Sequence, residues 1–422
     1  MSGSRGTIVA AVLAAVAGAG FLIGPGAFAW TQVREGFPGY WTSARLVLEG
    51  NWSPRVYDDA AFAAEVLDAT DGRLGEIYRP NPPAATLLVL PTAGLELQDA
   101  RRAWLVIGLG FVLATWWLLV GAIPPLQRPA VALAWLALVL AWQPLRLDIE
   151  MGQVYAPLLA FHALGVAGVA AATTRGHVAA GIAVGAAAIV KLSALPWLAV
   201  LALRGRYLVV AAAAVAGALL VVVTLGFAGP GGWSTFAATA WSDLTRDRPS
   251  LAVTAYQSTA GLLRHLLGPD PTWNTGAIAN APFVARAGGL IVGAWVLAVT
   301  VLMARRGRWD LGAGLAIAAS VIALTVAQEY AYTLLIVPAA IAIARGLEMG
   351  ASRLSWAWLG AAIALIAAPL PYRHPVLDEG WVALLAYPRV YGAWLLWGWL
   401  ARELAGSRAE WAGRNAQPPS RP

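Results

Sequence analysis

Cysteine is absent from the 422 residues. Disulfides, thiolate metal sites and a thiol nucleophile are therefore excluded. Charge is scarce as well. Asp, Glu, Lys and Arg together make up 12% of the chain, against about 25% in an ordinary soluble domain. No glycine-rich phosphate loop of the Walker type occurs, and no run of acids has a metal-binding spacing. His162 and His177 form no ligand cluster and read as packing or loop residues. Strict apolar–polar alternation is missing from the apolar runs, which argues against an outer-membrane barrel. Hydrophobic residues, in contrast, supply 59%, and no soluble globular reading accommodates them.

The apolar residues are gathered into runs. They cover 7–30, 103–123, 130–145, 154–172, 178–190, 192–203, 207–227, 282–304, 311–327, 331–344, 354–370 and 381–401. A crossing needs about 20 such residues, and in lipid each must satisfy its own backbone, so the runs predict helices. The expectation is an all-α polytopic membrane protein with about twelve crossings. The first run follows Arg5 and ends in Ala27-Phe28-Ala29, which mimics a signal-peptide cleavage site. Its length favours a retained first transmembrane helix. Two long polar loops, 31–81 and 228–281, interrupt the pattern. The first carries amphipathic pieces at 40–48 and 59–67, suited to the interface. Many of the 21 tryptophans lie near run ends, as interfacial anchors do. Residues 1–402 read as one membrane domain and 403–422 as a polar, disordered cytoplasmic tail.

Short basic loops fix the orientation. Arg204/Arg206, Arg305/Arg306/Arg308, Arg345/Arg353 and Arg402/Arg408/Arg414 all fall on one side of an alternating path. Both ends then lie in the cytoplasm of a bacterial inner membrane, and both long loops lie outside. The net charge of +7 is accounted for by this bias and calls for no nucleic acid. Between 82 and 203 two paths remain. In one, 82–97 spans and 178–203 is a single helix. In the other, 82–97 only dips in, and two short helices meet at Lys191. A lysine at mid-membrane costs at least about 2.5 kcal/mol, which favours the second.

Several motifs, in order, resemble glycosyltransferase family 87. Phe37-Pro38-Gly39-Tyr40-Trp41, Leu48-Glu49-Gly50 and Val56-Tyr57-Asp58 look like its opening loop. Pro82-Pro83, Gly152-Gln153-Val154-Tyr155, Gly181 to Gly185 with Val190-Lys191-Leu192-Ser193, and Gln257-Ser258-Thr259 follow. The resemblance implies a GT-C-like fold. It also implies a mannosyltransferase fed by a polyprenyl phosphate sugar and acting on a lipid or glycan acceptor among membrane lipids. One departure stands out. The family usually carries an aspartate, taken as the catalytic base, just before the Phe-x-x-Tyr unit. Here Gly36 holds that place, and Glu35 precedes it.

Inverting sugar transfer needs a carboxylate to take the acceptor's proton and a cation or donors for the departing phosphate. The catalytic candidates are Glu35 and Asp148. Candidate substrate ligands are Tyr40, Asp58, Glu150, Gln153, Lys191, Gln257 and Glu329. Arg246, Arg248 and Arg264 are further phosphate candidates. No cofactor is implied, and a divalent metal stays open. Plainer readings exist for several: Asp148, Glu150 and Glu329 as helix caps, Glu35 as the partner of Arg34, Lys191 in an ion pair with Asp148 or Glu150, Tyr40 in packing. The alternatives for the chain are a transporter, a lipid-binding protein or a catalytically silent relative. No internal repeat of the transporter kind is present.

Overall fold

The computed structural model describes residues 3–79, 81–245 and 249–416. Every regular element among them is a helix. The chain forms two compact units. The first comprises Met1–Ala194, Ala211–Arg248 and Glu329–Thr333; the second comprises Leu195–Val210, Pro249–Gln328 and Leu334–Pro422.

Among the described residues five helices are long and apolar enough to cross a membrane: Ser4–Thr31, Leu97–Ala122, Tyr207–Thr245, Pro282–Ala304 and Glu329–Glu348. A sixth span results if Pro129–Ala141 and Gln143–Met151, bent by 53°, count as one. Only 17% of the most apolar stretch of Ser4–Thr31 is buried, and 28% of that of Leu97–Ala122. Large side chains such as Val16, Ile23, Val106, Leu113 and Trp117 are exposed on them. Water would not tolerate apolar surface on that scale, so these faces meet lipid. The molecule is a multi-pass membrane protein, with fewer full-length apolar helices than the runs predict. The run at 130–145 stops short because Trp142 leaves helical geometry and Pro144 opens a new helix.

In the first unit the opening loop is helical over Phe37–Leu48 and Asp59–Ala69. Both correspond to the expected amphipathic pieces. Residues 82–97 hold only the short helix Ala85–Val89 and a tight turn, Leu90–Thr92, around Pro91. A proline there removes a backbone donor and ends the helix. The helix Thr174–Lys191 ends where Leu192 takes a left-handed conformation, φ 56°. A new helix, Leu195–Leu203, starts with Pro196 in its first turn, where proline is tolerated. The helical run thus breaks just after Lys191.

Two stretches differ from expectation. The stretch Tyr207–Thr245 is two helices in succession, and the second of them occupies the start of the expected second loop. The first helix ends at Gly229, whose φ of 61° and ψ of 178° are not helical, and Pro230 opens the second. Proline directly after a kink occupies a first-turn position, where its missing N–H costs nothing. The last helix, Pro388–Ala416, likewise runs through most of the expected tail. The remainder of that tail, 417–422, lies outside the described residues.

Candidate active site

The site is built in the first unit around the start of the helix Phe37–Leu48. Its first eight residues, Phe37 to Ala44, are all buried. Phe37 stacks on Trp104 with ring centroids 6.4 Å apart. Arg101 is fully buried, and its guanidinium carbon lies 5.6 Å from the Phe37 ring centroid. The Arg101 guanidinium also donates to the backbone carbonyls of Ile149 and Glu150. These close the helix Gln143–Met151, where a cation complements the helix dipole.

Gly152 then turns the chain in a left-handed conformation, φ 64°. A β-carbon at Gly152 would come within 2.7 Å of Phe37 Cβ. The turn delivers Gln153 to Tyr40. The indole of Trp104 braces it by donating to the Gly152 carbonyl at 3.0 Å.

Asp148 spans the same break. Its two carboxylate oxygens accept from the Tyr155 and Ala156 N–H groups at 3.0 and 2.9 Å. They cap the helix Tyr155–Ala170 from the preceding helix. With both oxygens so engaged and the side chain 1% exposed, the group is held as an anchor. Asp148→Ala leaves two buried N–H groups unpaired. Expected is a loss of about 1–3 kcal/mol, seen as a lower thermal midpoint in detergent with the helix content intact.

A continuous polar chain runs from this turn to Lys191. The Tyr40 hydroxyl lies 3.1 Å from Gln153 Oε1 and 3.0 Å from Asn81 Oδ1. Lys191 Nζ donates to the same Asn81 oxygen at 2.6 Å. Tyr57 donates to the Asn81 carbonyl at 3.1 Å. An ammonium can only donate, so Asn81 must present oxygen to it. Tyr40 has one proton for its two partners. Burial pushes the Tyr40 phenol well above its usual range, so it stays protonated. Lys191 lies 5.7 Å from the centroid of the Tyr155 ring, which packs against Tyr330 at 5.3 Å. Lys191 is the only lysine among the 29 basic side chains.

On the other side of Gly36 stands Glu76, whose carboxylate accepts from the Gly36 N–H. Glu35, next to it, is exposed. Arg34 pairs instead with Glu150 at 3.7 Å, and Glu329 is buried close enough to Glu150 for their charges to interact. Nearby, Arg79 bridges Asp59 and Asp243 at 3.1 and 3.2 Å. It forms one wall of a polar cleft of about 520 Å³ with Ser234, Thr235, Thr239 and Ser242.

Of the residues singled out by sequence, Tyr40, Gln153 and Lys191 are brought together, and Asp148 and Lys191 both contact Tyr155. Asp58 is the cap of Asp59–Ala69, accepting from the Ala60 and Ala61 N–H groups. Gln257 lies in the second unit, where its amide donates to the Thr254 and Ala386 carbonyls, each at 2.8 Å. Arg264 is also in that unit and donates to the Thr325 carbonyl at 3.1 Å. Arg246 and Arg248 lie outside the described residues. Sequence reasoning missed Asn81, Glu76, Arg101 and Arg79. Only Asn81 had a local signal, standing directly before Pro82-Pro83. Among the described residues no three His, Asp or Glu side chains gather as a metal site.

Comparison with known proteins gives one result. A family model described as glycosyltransferase family 87 matches residues 80–328, well over half of the chain. No curated protein matches, and no solved structure does.

Proposed function

Since the chain belongs to glycosyltransferase family 87 and is a membrane glycosyltransferase, we propose that it moves mannose from a polyprenyl phosphate donor to a lipid or glycan acceptor. The reaction takes place at the extracytoplasmic face, with both chain termini in the cytoplasm. The observation that carries this reading is the placement of Lys191. A lone ammonium is held at a helix break by Asn81, beside two further uncharged hydrogen-bonding side chains, Tyr40 and Gln153. A cation at that point can neutralise a departing phosphate, and neutral donors and acceptors suit sugar hydroxyls.

The roles then divide by chemistry. As the anomeric carbon leaves the phosphate oxygen, negative charge grows on the lipid phosphate, and Lys191 stabilises it. Asn81, Tyr40 and Gln153 orient the sugar. Glu150 and Glu329 form an acidic rim for the acceptor's hydroxyls. Asp148 holds the turn from which Gln153 projects, a positioning role. Asp58 and Gln257 brace their own segments.

The test uses membranes carrying the full chain, radiolabelled polyprenyl phosphate mannose and a lipid extract of the producing cells. Expected is label moving into an acceptor that is absent when the chain is absent. Failure of transfer, with a related transferase active in the same membranes, overturns the donor assignment. Competition with other polyprenyl phosphate sugars identifies the sugar.

A further inference from the structure

We propose that Glu76 takes the acceptor's proton in this enzyme, filling from a different part of the chain the position that Gly36 leaves without a carboxylate. The inference rests on the transferase reading above. In the step it describes, the acceptor oxygen bonds to the anomeric carbon. The bond from that carbon to the phosphate oxygen breaks, its electron pair leaving with the lipid phosphate. The acceptor's hydroxyl proton passes to the Glu76 carboxylate.

Geometry argues for Glu76 over the other acids. Gly36 is in contact with two side chains. Its N–H donates to the Glu76 carboxylate. On its α-carbon side stands the Gln153 amide, whose nitrogen would be 2.5 Å from a β-carbon at that position. Gly36 is thus the hinge at which a carboxylate meets the polar chain of Gln153, Tyr40, Asn81 and Lys191. Glu76 lies along the first turn of the helix Phe37–Leu48, its Cβ 3.4 Å from where a side chain on Gly39 would begin. Tyr40 follows immediately on that helix.

Three other acids of this corner are less suited. Both oxygens of Asp148 are taken by backbone N–H groups. Glu150 faces Arg34. Glu35 is exposed.

The electrostatics agree with that role. Burial, the largest influence, pushes the Glu76 carboxyl up to about 7, and the charge of Glu35 adds to the rise. The Gly36 and Ile77 N–H groups oppose it by favouring the anion. A base performs best when its pKa lies near the working pH.

A cap and a base make opposite predictions for Glu76→Gln. Glutamine keeps an oxygen for the Gly36 N–H but cannot take a proton. The experiment measures transfer by the full chain in membranes across pH 5.5–8.5, alongside retention of labelled donor and thermal melts. Four forms are compared: wild type, E76Q, E76D and E35Q. Expected is a fall of at least about 100-fold in kcat for E76Q, with donor retention and melting unchanged. E76D retains part of the activity. Wild type loses rate as pH drops through about 7, because the protonated carboxyl is no base. In E35Q the acid limb moves to lower pH, since a like charge has gone.

Transfer by E76Q within threefold of wild type overturns the proposal and leaves Glu76 as a cap. Should E76Q fail to fold, a wild-type profile flat over that range overturns it instead. Absence of transfer in the wild type sinks the donor assignment above and not this inference. Activity in wild type and E76Q alike sinks only this inference.

Discussion

Lys191→Met lowers transfer by about 100- to 1,000-fold, the scale seen when one donor to a developing oxyanion is removed. The variant still folds. Methionine matches the length and flexibility of the lysine stem and fills irregular apolar space well, and the substitution removes a charge from a segment flanked by Val190 and Leu192. What it takes away is the ammonium 2.6 Å from Asn81 Oδ1. Were Lys191 only a structural partner of Asn81, the loss would be about 1 kcal/mol of stability, and turnover would stay within a few-fold. Transfer rate and thermal midpoint, measured together, separate the two. Lys191→Arg should recover only part of the rate, because a planar fork cannot reproduce a compact point charge at the same distance.

The second large effect concerns Gly36→Asp, which restores by sequence the acid that the family resemblance would place there. Activity falls rather than rises, and the thermal midpoint falls with it. Gly36 has φ 110° and ψ −66°, outside the left-handed helical region that Asp and Asn tolerate. Such strain alone costs on the order of 1–3 kcal/mol. A β-carbon would also come within 2.5 Å of the Gln153 amide nitrogen and 2.7 Å of the Met151 carbonyl oxygen. The new side chain would push Gln153 off Tyr40 and crowd Glu76. Transfer above the wild-type rate in Gly36→Asp would show that this corner is laxer than drawn.

Glycine-to-aspartate logic shows where reading the chain linearly reaches its limit. The membrane character was legible because it is a matter of composition and run length. Lys191 was legible for a local reason too: a charge between apolar residues has an identifiable cost wherever the helices go. The break at Leu192 followed from the same cost. Glu76 and Asn81 were not legible, because their meaning is tertiary. Glu76 meets Gly36 across 40 residues of chain, and Asn81 meets Lys191 across 110. Asp148 was found for its charge, yet what it touches is two N–H groups beyond a turn.

Having a single lysine makes the chain chemically simpler than its size suggests. Among the 422 residues the one side-chain amine is the one that Asn81 holds. The proposed site therefore carries its own selective handle. A probe that distinguishes amines from guanidinium groups reports on that site against a background of 28 silent arginines, with no residue needing to be introduced.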